Sequence, residues 1–348
     1  MITCDSNWIK KKYDVFFLLV IDEDNIEIKY ITSIFMRNGY DRNFLGDGIL
    51  IDIPKPSLEI EDDVLKNDKF REEMIVDYIH YSVIMSISNR QALVSAANVD
   101  QKENKSVDGR RWFLDSRIGS ENQVGNEAYL QNDWDRGHLT RRTSVTWGSN
   151  YEAKRASNDS CSYANASMQH KNFNQDEWRV PENEVHRFER DKNDKLCVFT
   201  GPIFTEIDRW YSRRSLKEMV RIPSGFWKMI AYIDKNSNKL ACQAYVLYQD
   251  DKFLADRAGS KIIVLKKYQV TVTEIERITA LEFDEKLYKA NPLYFHPRPE
   301  KNIEGPEGFD VEKTGVIFSR EDADNIRKED KRELKPEEFE DFVAGMDI

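Results

Sequence analysis

Two apolar runs of nine residues, 225–233 (GFWKMIAYI) and 240–248 (LACQAYVLY), stand on either side of the polar turn 234–239 (DKNSNK). Runs of this length and β-branched or aromatic content, closed by a turn, read as paired strands. A second pair, 78–86 and 91–99, is joined by Ile87-Ser88-Asn89-Arg90, a hairpin signature, and 196–199 (LCVF) supplies a further strand. These runs build an antiparallel sheet, and the fold expected is α+β, a central antiparallel β-sheet with flanking helices. Residues 262–265 are another strand candidate, and 272–281 alternate apolar and polar residues less cleanly. The chain has 348 residues, long for one compact domain and short for three, so one large domain with appendages is expected. With 40% hydrophobic and 11% aromatic residues, a wholly disordered chain is excluded.

The appendages are expected at the two ends. The runs 15–21, 26–35 and 49–53 give a β-rich extension over residues 1–60, and Pro54-Lys55-Pro56 stops the last run because proline cannot continue a ladder. The main domain then covers 61–295. Residues 296–348 form a tail in which 301–348 carry 8 basic and 15 acidic residues and 321–334 could hold a short helix. The tail accounts for most of the net charge of -10, whereas 102–190 holds 14 residues of each sign. A chain this acidic lacks the overall cationic field of a general nucleic-acid binder. The run 15–21 (VFFLLVI) falls well short of the roughly 18 apolar residues of a membrane span and lacks the cleavage site of an export signal. It reads as a buried strand, which implies a cytoplasmic protein without membrane partners. Cys4, Cys161, Cys197 and Cys242 include no CxxC pair and fit a reducing compartment, with Cys197 and Cys242 buried on strands; two disulfides remain open if the protein is exported.

Acid–base chemistry at neutral pH is confined by the presence of only five histidines, His80, His138, His170, His186 and His296. His138 follows Asp135-Arg136-Gly137, which sets a carboxylate, a guanidinium and an imidazole within four residues. A lone histidine is more often a satisfied structural residue, and Arg136 could equally pair with Asp135 on the surface. Downstream, 165–182 is dense in neutral amides: Asn165, Gln169, Asn174 and Gln175. Asn174, Trp178, Glu182 and Val185 fall at helical spacing, although Pro181 would cost a helix interior about 3 kcal/mol. Asn174 could equally cap that helix. His170 and His186 read as surface residues.

The ordered motifs Asp135-Arg136-Gly137-His138-Leu139, Trp147-Gly148, Asn165-Ala166-Ser167-Met168-Gln169, Phe173-Asn174-Gln175 with Trp178, and Glu182 resemble the DNA/RNA non-specific endonucleases. That family belongs to the ββα-metal (His-Me finger) superfamily and includes relatives of endonuclease G. The resemblance extends over about 77–283, taking in Phe199-Thr200-Gly201-Pro202 and Phe226-Trp227-Lys228. It departs at Met168, where the family usually has proline and where only loop stiffness is expected to change, and at Val180-Pro181 before Glu182.

The resemblance implies a ββα-metal active-site motif and hydrolysis of phosphodiester bonds in DNA and RNA. By position, His138 would be the general base that activates water. Asn174 would hold a Mg²⁺ ion, with Mn²⁺ as a substitute. Arg136 would steady the phosphate, and Arg110, with Arg111 as its rival, would match another phosphate contact. Asn165, Gln169 and Glu182 would hold the waters of the metal, and dimerisation is implied by the resemblance alone.

Arg141 and Arg142, with Lys154, Arg155, Lys171 and Arg179, could line a phosphate track despite the acidity of the chain. Nothing encodes base readout by a recognition helix, so weak sequence preference is expected. No GxSxG elbow and no P-loop is present. The competing reading is a catalytically idle nucleic-acid-binding or effector protein that retains the fold. An unrestrained nuclease would endanger its own cell, which suggests a defence effector governed by a regulatory partner through residues 1–60.

Overall fold

In a computed structural model of the chain, residues 16–22, 25–31, 37–46, 48–109, 111–170, 195–235, 237–249, 266–291 and 331–333 are described. The chain divides into two compact units, 1–37 and 38–348. In the smaller, β1 (Phe16–Asp22) and β2 (Asn25–Ile31) form an antiparallel hairpin with Phe16 opposite Ile31, as the apolar runs require.

The division falls after residue 37, ahead of the boundary expected near 60. Tyr40, Phe44, Leu45, Ile51 and Ile53 are buried in the core of the larger unit. The run 49–53 is apolar for that reason and forms no regular strand. Past it, β3 (Lys55–Pro56) makes a two-residue antiparallel pair with residues 281–282, so the proline-flanked lysine continues as a short edge where the sequence suggested a stop.

The larger unit is built on β4 (Ile75–Asp77), β5 (Tyr81–Met85), β6 (Ala92–Asp100), a separate hairpin of β7 (Trp134–His138) and β8 (Ala166–His170), then β9 (Lys195–Ile203). A small hairpin of β10 (Arg209–Tyr211) and β11 (Val220–Ile222) precedes β12 (Gly225–Ile233), β13 (Leu240–Tyr248), β14 (Lys266–Val270), β15 (Leu281–Glu282) and β16 (Lys331–Glu333). One eight-stranded sheet runs β16-β14-β13-β12-β9-β6-β5-β4, antiparallel at every junction. The sequence reading of 78–86, 91–99, 196–199, 225–233 and 240–248 as antiparallel strands is borne out. The helix considered for 321–334 is corrected over Lys331–Glu333, which pair as a strand with β14.

The two sheet faces carry different layers because side chains alternate along a strand. One face presents Phe199, Trp227, Met229, Ala231, Ala244 and Val246. It is covered by residues 40–53 and by α2 (Val272–Thr279) and α3 (Glu285–Ala290) through Val272, Ile275, Leu287 and Tyr288. Residues 272–279 are thus helical, where alternation suggested a poor strand. Thr271 Oγ1 accepts from the Glu274 N–H at 2.9 Å, and Ala280 ends the helix in the left-handed region at φ 53°. The opposite face presents Tyr81, Val83, Phe226 and Tyr245, and it receives Leu139, Val145 and Ala164 with α1 (Asn150–Ser160) through Ala156. A polar row interrupts this second face: Ser95, Thr200, Lys228 and Tyr245 are successive cross-strand neighbours, and Lys228 is fully buried. The hairpin carrying His138 lies in the layer on this face, tied to Ser95 through Thr140 and Asn165.

Candidate active site

His138 ends β7, and its register with β8 is fixed by five consecutive pairs from Trp134 opposite His170 to His138 opposite Ala166. Alternation then puts Arg136 and His138 on one face of the ribbon and Asp135, Gly137, Ser167 and Gln169 on the other. A Cβ at Gly137 would come within 2.0 Å of Gln169 Cδ, so the Gln169 amide lies directly over the glycine backbone and would have to move for any larger residue there.

Trp112 covers the face that holds Arg136 and His138. Its ring centroid is 4.6 Å from that of the His138 imidazole, and the Arg136 guanidinium carbon is 5.5 Å from the indole centroid. Arg136 also donates through Nη1 to Asn126 Oδ1 at 3.3 Å, and the same oxygen accepts from the Tyr163 hydroxyl at 3.0 Å. Burial pushes the Tyr163 hydroxyl above the usual phenol range, and nearby Arg136 opposes that rise. The site is therefore an aromatic enclosure around one cation and one imidazole, and His138 retains only 2% of its exposure. Trp112 was not singled out in the sequence. It sits two residues beyond Arg110 in a polar loop, with no periodicity to mark it.

Asn165 fixes the chain just beyond His138. Its Oδ1 accepts from the Thr140 N–H at 2.8 Å and the Ser95 hydroxyl at 3.1 Å, while its Nδ2 donates to the carbonyls of Thr140 at 2.8 Å and Ser160 at 3.0 Å. Its own carbonyl accepts from the Leu139 N–H at 2.9 Å. The amide is thus occupied with protein groups on both sides, which gives Asn165 a positioning task for residues 139–140. Gln169, expected to act beside it, stands on the ribbon face opposite His138. Its Oε1 is buried with no hydrogen-bond partner among the described residues.

The outer edge of β8 is met by two glutamine side chains. Gln91 Oε1 accepts from the Met168 N–H at 3.2 Å and the Ser167 hydroxyl at 2.5 Å, and its Nε2 donates to the Arg221 carbonyl at 2.8 Å. Gln249 Oε1 accepts from the His170 N–H at 2.9 Å, and its Nε2 donates to the carbonyls of Met168 at 3.2 Å and Pro223 at 2.9 Å. Met168 is therefore a buried strand residue whose N–H is used, a bond proline could not make. Its departure from the family pattern changes hydrogen bonding as well as stiffness. His170, expected at the surface, is buried edge-on to Trp134 at 5.5 Å between ring centroids.

The remaining candidates divide between described and undescribed residues. Arg142 donates through Nη1 to the Val107 carbonyl at 2.8 Å and Ser157 Oγ at 3.2 Å, bracing the 102–109 loop against α1. Arg141 is half-buried beside it and engaged. On α1, Arg155 lies over the Tyr151 ring at 5.9 Å. Arg110, Asn174 and Glu182 lie outside the described residues, as does the helix expected after β8; the two strands of the expected ββα motif are present as β7 and β8.

Among the described residues no group of three His, Cys, Asp or Glu side chains could hold a metal. The unpartnered oxygen of Gln169 is an uncharged amide, a donor type that Mg²⁺ accepts while retaining several waters.

Three comparisons with known proteins bear on the family of the chain. A Sinorhizobium fredii protein described as "Uncharacterized protein y4fB" is 30% identical over 279 residues, 73% of this chain; the match spans 40% of that protein's length. A crystal structure of the EndoG/EndoGI complex, concerned with EndoG inhibition, is similar at 18% identity with a TM-score of 0.45, covering 60% of this chain and 84% of that one. The sequence profile of the DNA/RNA non-specific endonucleases matches residues 64–290, a span that opens at the strands leading into the site and closes at α3. With that match covering more than half of the chain, and with the Asp-Arg-Gly-His strand paired to Ala166–His170 inside it, the chain is a member of the DNA/RNA non-specific endonuclease family.

Proposed function

We propose that the protein is a Mg²⁺-dependent endonuclease that hydrolyses phosphodiester bonds in DNA and RNA with little sequence preference. The observation that carries this reading is the shared enclosure of His138 and Arg136 under Trp112, which sets a proton acceptor beside a fixed cation. An imidazole with a pKa of about 6.5 can take the proton of an attacking water at neutral pH. Arg136, held by Asn126, offers the remaining donors of its fork to a phosphate oxygen as charge develops on phosphorus. Asn165 keeps residues 139–140 still, which fixes where the imidazole sits relative to the sheet.

A divalent cation, for which Asn174 is the proposed ligand and Gln169 and Glu182 the supporting residues, would supply charge neutralisation for the phosphate and the departing oxygen. Arg110 and Arg141 are proposed phosphate contacts, with Arg142 bracing the 102–109 loop. Association would then depend steeply on salt. A homodimer, a cytoplasmic location and a role as a regulated defence effector are proposed on the same footing as in the sequence reading.

The test is cleavage of supercoiled plasmid and of RNA with Mg²⁺ titrated in. Wild-type cleavage that EDTA abolishes and His138→Ala removes supports the proposal. Nucleic-acid binding with no cleavage at any Mg²⁺ concentration would turn the reading to the catalytically idle alternative.

A further inference from the structure

β7 and β8 are five residues each and, among the described residues, pair only with each other; the hairpin is a two-stranded unit lying in the layer over the eight-stranded sheet. Two-stranded hairpins are marginal by themselves. Something must fix this one, because His138 and Arg136 ride on it. The ladder to β7 uses one edge of β8, and the other edge turns toward Gln91 and Gln249.

Gln91 leads into β6 of the main sheet, and Gln249 follows β13. Gln249 is anchored by its own N–H, which donates to the Ser224 carbonyl at 2.7 Å. Both side chains are buried, and together they satisfy the N–H of Met168, the carbonyl of Met168 and the N–H of His170. They do for β8 what a neighbouring strand would do. Each also donates an amide hydrogen to the 221–223 backbone. Met168 lies directly opposite Arg136 in the ladder, so the residue gripped by both glutamines faces the proposed phosphate-binding arginine.

We infer that Gln91 and Gln249 are positioning residues for the reaction: their amides act as a surrogate strand that sets the depth and tilt of the hairpin bearing Arg136 and His138. This inference rests on the nuclease reading.

The two amides engage β8 differently, and that provides the test. Gln91 presents its oxygen to β8 and Gln249 presents both oxygen and nitrogen. Gln91→Glu keeps the acceptor for Met168 and Ser167 and loses one donated bond. Gln249→Glu loses both donated bonds and faces a carboxylate with two carbonyl oxygens. Plasmid cleavage by the full-length protein should show kcat lower by about 10²-fold in Gln249→Glu and by less than about 10-fold in Gln91→Glu, the size expected for displacement of catalytic groups by roughly 1 Å. KM should change little in either.

Gln249→Leu provides a second, uncharged variant should the glutamate prevent folding, and it should lose kcat with β9, β12 and β13 still protected in hydrogen exchange. The Met168 and His170 amides should exchange faster in that variant than in wild type. Equal loss in the two glutamate variants, a loss confined to KM, or unchanged kcat in Gln249→Leu would overturn the inference. Wild-type protein inactive on plasmid and RNA would instead sink the nuclease reading, a result separable from any variant effect.

Discussion

The eight-stranded sheet and the β7–β8 hairpin are both antiparallel, yet they are held by different forces. β12 shares an eight-pair ladder with β9 and a nine-pair ladder with β13, and its face carries fully buried Trp227 and Met229. The hairpin has five pairs and is completed by the amides of Asn165, Gln91 and Gln249. Burial of apolar area is non-directional and tolerates small shifts, whereas a buried hydrogen bond is lost within a fraction of an ångström. The sheet therefore supplies stability, and the hairpin supplies placement. Its supports are uncharged, so their strength does not change with pH over the range where an imidazole titrates.

Separating these roles experimentally begins with the largest effect. His138→Ala should lower cleavage by about 10²–10⁴-fold, the usual contribution of a general base, while the cooperative thermal transition persists; a residual rate near wild type would detach the chemistry from the hairpin. Trp227→Ala should act on the sheet instead, costing about 3–5 kcal/mol in denaturant unfolding and reducing activity only in proportion to the folded fraction. Asn165→Ala falls between the two regions. It strands the buried N–H and carbonyl of Thr140, so a loss of about 3 kcal/mol should accompany a fall in kcat; loss of stability alone would make Asn165 a residue of the sheet.

The smallest effect concerns pH. His80, stacked on Trp147 at 3.4 Å between centroids and 3.6 Å from Glu152 Oε1, is pushed down to about 4 by burial. The unfolded chain then binds the extra proton first, so stability is complete above about pH 6.5 and falls as pH drops toward 4. A loss of about 2 kcal/mol is expected by pH 5, and His80→Gln should flatten that slope in denaturant titrations. A slope unchanged in the variant would assign the acid sensitivity elsewhere.

Much of the sheet was legible because its signals are local. Apolar runs with polar turns located β5, β6, β9, β12 and β13, and the Asp-Arg-Gly-His and Asn-Ala-Ser-Met-Gln segments proved to be partners in one ladder. Residues 270–273 (VTVT) bias a reader toward a strand, since β-branched residues favour one, yet Thr271 caps a helix there. Residues 49–53 are apolar because they cover the sheet, and burial alone does not distinguish a covering loop from a strand. Gln91 and Gln249 were not visible at all. Their contacts to β8 lie 76 to 81 residues away in sequence, and no spacing rule connects such positions.

Closing the outer edge of β8 has a consequence beyond catalysis. An unoccupied strand edge is an open invitation to any extended segment that can supply a matching ladder, whether from a second copy, an unfolded neighbour or an aggregate. Here that row of main-chain groups is already spoken for by side chains that cannot propagate the pairing further. The short ribbon that bears Arg136 and His138 is thereby shielded from recruitment as a template for β-addition.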